Sequence, residues 1–393
     1  MDEVVKDRME SYRRRVPEAP VRERYRGCLL GGAVGDALGA PVEFMRHSEI
    51  VAQFGAGGIA DYVPAYGRLG AITDDTQMAL FTAEGALRAY IRWSLRGICH
   101  PPSVIHYAYL RWLHTQGVPV PKSSPKRGED LLHGWLIQQK ELFAQRAPGR
   151  TCIHALGRDA AVGDPASNDS KGCGGVMRVA PIGMLFHSLT QTDRAARDEN
   201  YRRAFDLACE AAGLTHGHPT GQLTAGVMAA LVFDLLDGAD LRSAIDRAQP
   251  LLQARDRHGE TLAALMQAVA LSQGDTSPAD AIRQLGEGWV AEEALAIGLY
   301  CALKATDVET GVIMAVNHDG DSDSTGLIAG HLLGAIHGVS NIPQRWLDPL
   351  ELREVIEEVA DDLATAGSWR LDEWHDPEAA AEEAYYVERY PGG

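Results

Sequence analysis

Two acidic clusters, far apart in the chain, carry the residue types best suited to chemistry. The first is Thr73-Asp74-Asp75-Thr76, and the second reads Asp-Ser-Asp-Ser-Thr over residues 321–325. Each cluster precedes a long apolar stretch with helical periodicity, and neither contains Cys or His. If the fold brings the clusters together, four carboxylates share one pocket, and their mutual repulsion raises their pKa values unless a cation is bound. Hard oxygen ligands of this kind suit Mg²⁺, Ca²⁺ or Mn²⁺ rather than zinc.

Two stripes of glycine indicate that the clusters do meet. Glycine recurs every four residues at Gly27, Gly31, Gly35 and Gly39, and again at Gly326, Gly330, Gly334 and Gly338. A four-residue step keeps such positions near one face of a helix. Because each glycine weakens a helix by roughly 1 kcal/mol relative to Ala, the stripes need a compensating reason, and close approach of two helix backbones is the simplest. We therefore expect a tightly packed helical core with the acidic clusters at its helix entrances.

Both acidic clusters have a purely structural alternative. Asp74 and Asp75 suit the first turn of a helix, where acids satisfy free N–H groups and complement the helix dipole. The second cluster alternates like an EF-hand loop from Asp319 onward. An EF-hand is rejected because the sixth and twelfth positions carry Ser and Gly instead of Gly and Glu. Helix capping remains the alternative to metal binding for both clusters.

A glycine-rich loop and a pair of histidines complete the candidate chemistry. Residues 168–178 read Asn-Asp-Ser-Lys-Gly-Cys-Gly-Gly-Val-Met-Arg. Glycines let backbone N–H groups approach a phosphate, although the G-K-[ST] ending of a Walker A loop is missing and a simple connector is the alternative. His216 and His218 lack a third soft ligand nearby, so a structural histidine or a ligand contact is favoured over zinc.

Helical periodicity dominates the elements that must position these residues. Strand-like alternation is almost absent, and no period of 20–50 residues appears. We therefore expect an all-α, compact orthogonal helical bundle rather than a repeat array. The predicted helices are 25–44, 76–93, 103–114, 129–145, 202–212, 221–236, 241–254, 261–273, 279–285, 292–305, 307–316, 326–338 and 350–366.

Charge and composition suggest three parts: a charged N-terminal extension (1–21), a main domain (22–345) and an acidic C-terminal helix and tail (346–393). The tail holds 14 acids and three arginines, so it contributes −11 of the formal net charge of −17. Its simplest interpretation is a solvated helix with a loose end, and partner binding is the alternative. The basic, Pro-rich loop 119–127 is predicted to be a surface excursion that either stands alone or contacts a bulky substrate. No basic stripe indicates a primary nucleic-acid binder.

The chain is expected to be a cytoplasmic monomer. Its six cysteines are dispersed without a C-x-x-C pair, and the charged N-terminus has no apolar signal segment. The glycine-striped segments are interrupted by charged and histidine residues, so neither is predicted to span a membrane.

Five motifs, taken in chain order, resemble the ADP-ribosylglycohydrolases. They are Gly35-Asp36-Ala37-Leu38-Gly39 with Glu43 following, Thr73–Thr76, Ser170–Arg178, Thr215-His216 and Gly320–Gly326. The resemblance runs from about residue 25 to 338, and together the five motifs are highly specific. The family includes the enzyme that reactivates ADP-ribosylated dinitrogenase reductase. The Asp-Ser-Asp-Ser-Thr-Gly sequence is most similar to the ADP-ribosyl-arginine hydrolase branch.

The resemblance implies an ADP-ribosylglycohydrolase-type fold with two Mg²⁺ ions at its centre, Mn²⁺ being possible. The implied metal ligands are Thr73, Asp74, Asp75, Asp321, Asp323 and Ser324. Asp323 would bridge the ions, Glu43 would lie near the anomeric carbon, and either Asp75 or Glu43 would be the catalytic acid or base. The implied substrate-binding residues are Asn168, Ser170, Gly172, Cys173, Gly174, Gly175, Met177 and His216.

The implied activity is Mg²⁺-dependent hydrolysis of the glycosidic bond between ADP-ribose and a modified target. ADP-ribosyl-arginine is the expected linkage, so that the enzyme reverses protein ADP-ribosylation and releases ADP-ribose. The same core could act on ADP-ribosyl-serine, O-acetyl-ADP-ribose or an ADP-ribosylated nucleobase, so a small-molecule conjugate or a nucleic-acid substrate stays open. A non-catalytic ADP-ribose-binding protein is the alternative from another class.

Overall fold

The computed structural model describes residues 19–373 and 375–392, so residues 1–18 of the predicted N-terminal extension lie outside it. The prediction of an all-α protein is confirmed: the described residues contain α-helices and short 3₁₀ turns, and no β-strand. All six cysteines are free thiols.

Seventeen α-helices make up the described chain. In order, α1 to α17 span Ala19–Gly39, His47–Phe54, Asp74–Arg96, Pro101–Thr115, Arg150–Leu156, Ala180–Thr192, Arg197–Gly213, Pro219–Leu236, Leu241–Gln253, Gly259–Gln273, Pro278–Leu285, Ala291–Lys304, Val308–Val316, Ser322–His337, Gln344–Leu347, Arg353–Thr365 and Pro377–Arg389. Most of the predicted helices appear with ends shifted by a few residues. Both acidic clusters lie in a first turn, because α3 and α14 begin at or beside their acids rather than after them.

The two glycine stripes face each other, as expected. Helices α1 and α14 run antiparallel, with Gly35 against the backbone of Gly326 and Gly31 against that of Gly330. A Cβ added at any of these positions would come within 3.0 Å of a backbone atom of the opposite helix, closer than real Cβ atoms approach. Because the helices are antiparallel, the end of α1 lies beside the start of α14, where the second acidic cluster begins.

The core around this pair is built from long buried helices. Helix α8 (Pro219–Leu236) packs against α6, α7 and α12. It is the one helix of the described chain long and apolar enough to cross a membrane, yet 89% of that window is buried inside the protein. Such burial is what a core helix of a globular protein shows.

The predicted helix 129–145 is wrong. The structure has three separate 3₁₀ turns there, Gly128–Asp130, Leu136–Gln138 and Lys140–Leu142. Gly134 lies between the first two with φ of 101°, and Gln139 is extended with ψ of 110°, so the helical path is broken twice. Conversely, the sequence analysis does not predict helices α2, α5, α6, α15 and α17. Helix α6 begins just before Pro181, which is tolerated in a first turn because the N–H it lacks has no helical partner there.

The interpretation of the C-terminal tail as a solvated helix with a loose end is also wrong. Helix α16 buries an apolar face that includes Ile356, Val359 and Leu363. Helix α17 folds back against α16, and Trp369 stacks on Tyr386 with ring centroids 3.7 Å apart. Several of the acids are paired with arginines: Asp361, for example, accepts from two arginines of α1, at 2.8 Å in the case of Arg26.

Candidate active site

The two acidic clusters meet at the entrances of α3 and α14. The hydroxyl of Ser324 donates to Asp75 Oδ2 at 2.7 Å, joining residues 249 positions apart. Thr73, not an acid, caps α3 by accepting from Asp75 N–H at 3.3 Å, and Asp321 stands at the N-cap position of α14 without a capping bond from its side chain. Helix capping therefore does not explain these carboxylates.

Asp36 of α1 holds the first acidic cluster in place through hydrogen bonds. Its carboxylate is fully buried and accepts from the backbone N–H groups of Thr73 and Thr76, at 3.0 and 3.1 Å, and from the Thr76 hydroxyl. Asp36 belongs to a motif that the sequence analysis singles out, but the sequence alone does not indicate what Asp36 does. It orients the turn that presents Asp74 and Asp75 to the cavity.

Glu43 approaches the second cluster from the turn that follows α1. The helix ends at Gly39, two residues before Pro41, since proline disfavours helical backbone in the residue before it. One oxygen from each of Glu43, Asp321 and Asp323 lies within 4.8 Å of the others. Glu43 Oε2 is buried and has no hydrogen-bond partner among the described residues.

These acids open onto a cavity of about 500 Å³. Most of the predicted site residues line it: Glu43, Asp74, Asp75, Gly172, Cys173, Gly174, Met177, His216, Asp321, Asp323 and Ser324. Four do not. Thr73 supports the acids from the helix cap, Asn168 and Ser170 lie behind the glycine loop, and Gly175 packs against the backbone of Gly221. The metal-binding, catalytic and substrate-binding roles of these residues stay predictions.

The acids of the site destabilise one another when ionised. Burial, followed by the negative charge of Asp323, raises the pKa of Asp36 to about 7 and that of Glu43 to about 11. The same two causes raise the pKa values of Asp75 and Asp321. The orphaned Glu43 oxygen and the purely oxygen donor set fit a hard metal cation, which would hold these carboxylates ionised.

The glycine-rich loop and the segment that carries His216 form another wall of the cavity. The Asn168 side chain accepts from Ser170 and Gly217 N–H groups, each at 3.0 Å, which fixes the glycine loop against the segment that carries His216. A Cβ at Gly174 would lie 2.9 Å from Cys152 Sγ and 3.1 Å from His216, so the loop approaches too closely for a side chain. Burial lowers the pKa of His216 to about 3, so its imidazole is neutral at physiological pH.

His218, the other histidine of the pair, serves the fold. Its side chain accepts from Thr220 N–H at 3.2 Å and caps α8.

Sequence reasoning missed the aromatic rim of the cavity and the segment 147–152. Phe44 and Trp289 stack with ring centroids 5.8 Å apart, and 73% and 39% of their respective surfaces are exposed. Gly149 donates its N–H to Asp74 Oδ2 at 3.1 Å, and its neighbours line the cavity. No motif marks these residues, since only the tertiary fold brings them to the site.

Comparison with known proteins agrees with this geometry. The model of the ADP-ribosylglycohydrolase family matches residues 17–372, and the chain belongs to that family. It is 28% identical to the ADP-ribosyl-[dinitrogen reductase] glycohydrolase of Rhodospirillum rubrum over 88% of this chain and 98% of the relative. It is 23% identical to the ADP-ribosylarginine hydrolase Tri1 of Serratia proteamaculans over 88% and 81%. A solved ADP-ribosylglycohydrolase-related protein complex superposes with a TM-score of 0.63 at 28% identity, covering 88% of this chain and 99% of that one.

The family and the fold define the protein as an ADP-ribosylglycohydrolase, a hydrolase that acts on ADP-ribosylated targets. The resemblance first seen in five short motifs is thereby confirmed over nearly the whole chain.

Proposed function

We propose that this protein is a Mg²⁺-dependent hydrolase that removes ADP-ribose from arginine side chains. The observation that carries the proposal is the set of buried carboxylates around one cavity, drawn from the first turn of α3, the start of α14 and the turn that holds Glu43. ADP-ribose is a dianion, so a binding cavity lined by these acids needs a compensating cation. An all-oxygen donor set favours Mg²⁺, with Mn²⁺ as a close substitute.

In this proposal Thr73, Asp74, Asp75, Asp321, Asp323 and Ser324 hold the metal ions. When bound, the two ions would orient the ribose hydroxyls and lower the pKa of a water molecule. Hydrolysis breaks the C1″–N bond, places the water oxygen on C1″ and returns a proton to the arginine nitrogen. Positive charge develops on the ribose as that bond breaks.

Glu43 is the better placed of the two candidates for proton transfer. Its Oε2 makes no hydrogen bond within the described residues, whereas Asp75 Oδ2 is already held by Ser324 at 2.7 Å. A buried carboxyl group that lines the cavity and keeps one oxygen free of hydrogen bonds can exchange a proton with a leaving group or a water molecule. We therefore assign the proton role to Glu43 and a metal-binding role to Asp75.

The aromatic rim supports arginine as the leaving group. A guanidinium plane stacks well on aromatic rings, and its positive charge is stabilised near a ring face. Phe44 and Trp289 place two such exposed rings on the wall of the cavity that Glu43 and the second acidic cluster also line. The Serratia relative is named for ADP-ribosylarginine, which points to the same linkage. We also propose a cytoplasmic location, where the free thiols would stay reduced.

The test is release of ADP-ribose from an ADP-ribosyl-arginine peptide in Mg²⁺ and in excess EDTA. We expect release in Mg²⁺ and almost none in EDTA, with activity returning when Mg²⁺ is restored. An ADP-ribosyl-serine peptide of the same sequence is the matched comparison. Faster release from the serine peptide would overturn the arginine assignment, and full activity in EDTA would overturn the metal assignment.

A further inference from the structure

A second cavity, of about 540 Å³, lies away from the acidic one. Its walls come from the later part of α3, from α4, from the basic loop 119–127 and from the chain end near Pro391. Asp74 and Arg88 both belong to α3 and are 14 positions apart, so at 1.5 Å per residue they are separated by about 20 Å along the helix axis. None of the acids of the candidate active site contributes to this cavity.

The cavity gathers positive charge in a protein whose formal net charge is −17. Its cationic side chains are Arg88, Arg92, Arg111 and Lys126, with His133 beside them. One buried acid serves two of them: Glu84 accepts from Arg88 Nη2 at 2.8 Å and from Arg111 Nε at 2.9 Å. Asp130 adds a weaker attraction to Lys126. Arg88 and Arg111 therefore share one negative charge between them.

Several donors of this cluster have unused hydrogen-bonding capacity. Arg111 is only 2% exposed, and its Nη2 has no hydrogen-bond partner among the described residues. Arg88 Nε and His133 Nδ1 are also buried and have no hydrogen-bond partner among the described residues. Burial lowers the pKa of Arg111 to about 10, and burial followed by the neighbouring arginines lowers the pKa of Lys126. An anion between these groups would supply both the missing acceptor and the missing charge.

Part of the wall is apolar. Ile98, Val104 and Tyr107 line the cavity, and Lys126 Nζ lies 5.3 Å from the centroid of the Tyr107 ring. A site that combines aromatic and aliphatic surface with a cationic end suits a ligand that has a flat organic part and a phosphate. The volume is within the range of small-molecule sites.

We propose that this cavity is a binding site for a phosphate-bearing small molecule of the nucleotide class, separate from the site of hydrolysis. Arg111 and Lys126 hold the phosphate, and Tyr107 with Ile98 contacts the organic part. The basic loop 119–127 thereby gains a role, since it delivers Lys126 to the site.

The competing explanation is that the cluster only anchors the end of the chain. Arg88 Nη1 donates to the Pro391 carbonyl and Arg92 Nη1 to that of Gly392, each at 3.3 Å. Lys126 separates the two explanations, because its contacts in the structure are with Tyr107 and with the cavity rather than with the chain end.

The test is a titration of the Mg²⁺-loaded protein with AMP, in which isothermal calorimetry measures the heat of binding. The Lys126→Gln variant is compared with Lys122→Gln, which removes a lysine of the same loop that does not line the cavity. We expect one AMP-binding component to weaken by about tenfold or more in Lys126→Gln and to be unchanged in Lys122→Gln, because a charge-assisted hydrogen bond is lost. Lys126→Arg keeps the charge and should restore binding.

Two controls keep the test decisive. The thermal transition and the hydrolysis rate of Lys126→Gln should match those of the unmodified protein, which excludes a folding defect and any effect on the active site. AMP binding that is equal in the unmodified protein and Lys126→Gln, or no binding apart from the catalytic cavity, would overturn the proposal and leave the cluster as an anchor of the chain end.

Discussion

Asp323 is the acid whose charge reaches farthest through the active site. Its negative charge raises the pKa values of Asp36, Glu43, Asp75 and Asp321, which places it at the centre of the cluster. A carboxylate that repels every neighbour in the absence of a cation is well placed to contact any cation that they share. The family resemblance assigned a bridging role to this residue, and its position supports that assignment.

Replacing Asp323 by Asn should separate metal binding from folding. We expect kcat to fall by about 100-fold or more, because the metal site supplies several kcal/mol of transition-state stabilisation. In EDTA the variant should be more stable than the unmodified protein, since one buried repulsive charge is gone, and Mg²⁺ should raise its Tm less. Activity assays and thermal unfolding with and without Mg²⁺ measure both effects.

Asp319→Asn is the matched control for this change. Asp319 accepts from His47 N–H at 2.7 Å and does not line the cavity of the active site, and the Asn side chain retains an acceptor oxygen. Near-normal activity in Asp319→Asn and lost activity in Asp323→Asn is the expected pattern. Unchanged turnover in Asp323→Asn would contradict the metal assignment.

The buried acids also predict how stability depends on pH. In the metal-free protein the pKa of Asp36 is raised to about 7 and that of Glu43 to about 11, above the ordinary values of about 4. The stability that these groups contribute is therefore fully present below about pH 4 and is lost as the pH rises toward the folded-state values. A bound cation removes this loss.

The gap in Tm between protein in Mg²⁺ and protein in EDTA should consequently widen from pH 5 to pH 8. Taking the difference cancels groups that titrate equally in both samples. Thermal unfolding at four or five pH values measures it, and a gap that stays constant or narrows would contradict the electrostatic account.

At the level of the residue, the sequence identified the acids that gather at the cavity better than it identified the residues at the rim of the cavity. Asp74, Asp75, Asp321 and Asp323 stood out because acids and hydroxyls are concentrated in short runs. The rim residue Trp289 did not, because it lies alone in a loop and reaches the cavity only through tertiary structure.

The glycine stripes of α1 and α14 are the element-level device that builds the site. At Gly35 the helix backbones are so close that a methyl group would overlap the carbonyl of Gly326. Moving the helices apart would also move the start of α14, and with it Asp321 and Asp323, away from Glu43. Packing and chemistry are therefore coupled through this helix pair.

Gly35→Ala should destabilise the protein by about 2–3 kcal/mol, since overpacking in a rigid core costs energy of this order. Gly259→Ala is the matched control, because Gly259 is also helical but has no atom within 4 Å of an added Cβ. That change should be neutral or stabilising by up to about 1 kcal/mol. Urea unfolding compares the two, and an equal effect would argue against the close approach.

The aromatic rim gives a second prediction at this level. Phe44 follows the turn after α1 and Trp289 lies between α11 and α12, so two loops form one stacked pair. If the rim holds the leaving group, Phe44→Ala should raise KM for an ADP-ribosylated peptide by about three- to tenfold with little change in kcat, as loss of a stacking contact worth about 1 kcal/mol would do.

Trp93→Ala is its control, because Trp93 is 53% exposed and lies outside the cavity of the active site. Steady-state kinetics of both variants on the same peptide decide the matter. A fall in kcat alone for Phe44→Ala would place that residue in the chemical step instead.

At the level of the whole molecule, the acidic tail is part of the core. Composition alone suggested a solvated segment, since 14 acids in 48 residues resemble a charged surface. Composition cannot show where the partners are. Asp361 pairs with Arg26 of α1, 335 positions away in the sequence, and Asp362 pairs within the tail with Arg389 of α17 at 2.6 Å. The all-α class was predictable from periodicity, whereas the packing of the tail against α1 was not.

Glu351 shows that the tail also supports the active site. This carboxylate is 1% exposed and accepts from Arg146 Nη2 at 2.8 Å, from Arg68 Nη1 at 2.9 Å and from Ile72 N–H at 3.2 Å. The Arg146 carbonyl in turn accepts from Asp74 N–H at 3.2 Å. Glu351 therefore stabilises the start of α3 in two ways, through Arg146 and through the segment that ends at residue 73.

Replacing Glu351 by Gln should leave Arg146 buried without its ion-pair partner and reduce stability by about 3 kcal/mol, as expected when one member of a buried pair is lost. Because the same network positions Asp74, the concentration of Mg²⁺ needed for half-maximal activity should rise as well. Glu354→Gln, which removes an exposed acid of the same segment, should change neither quantity. Urea unfolding and Mg²⁺ titration of the activity measure both. A loss of stability with an unchanged Mg²⁺ requirement would mean that the tail stabilises the bundle without positioning the site.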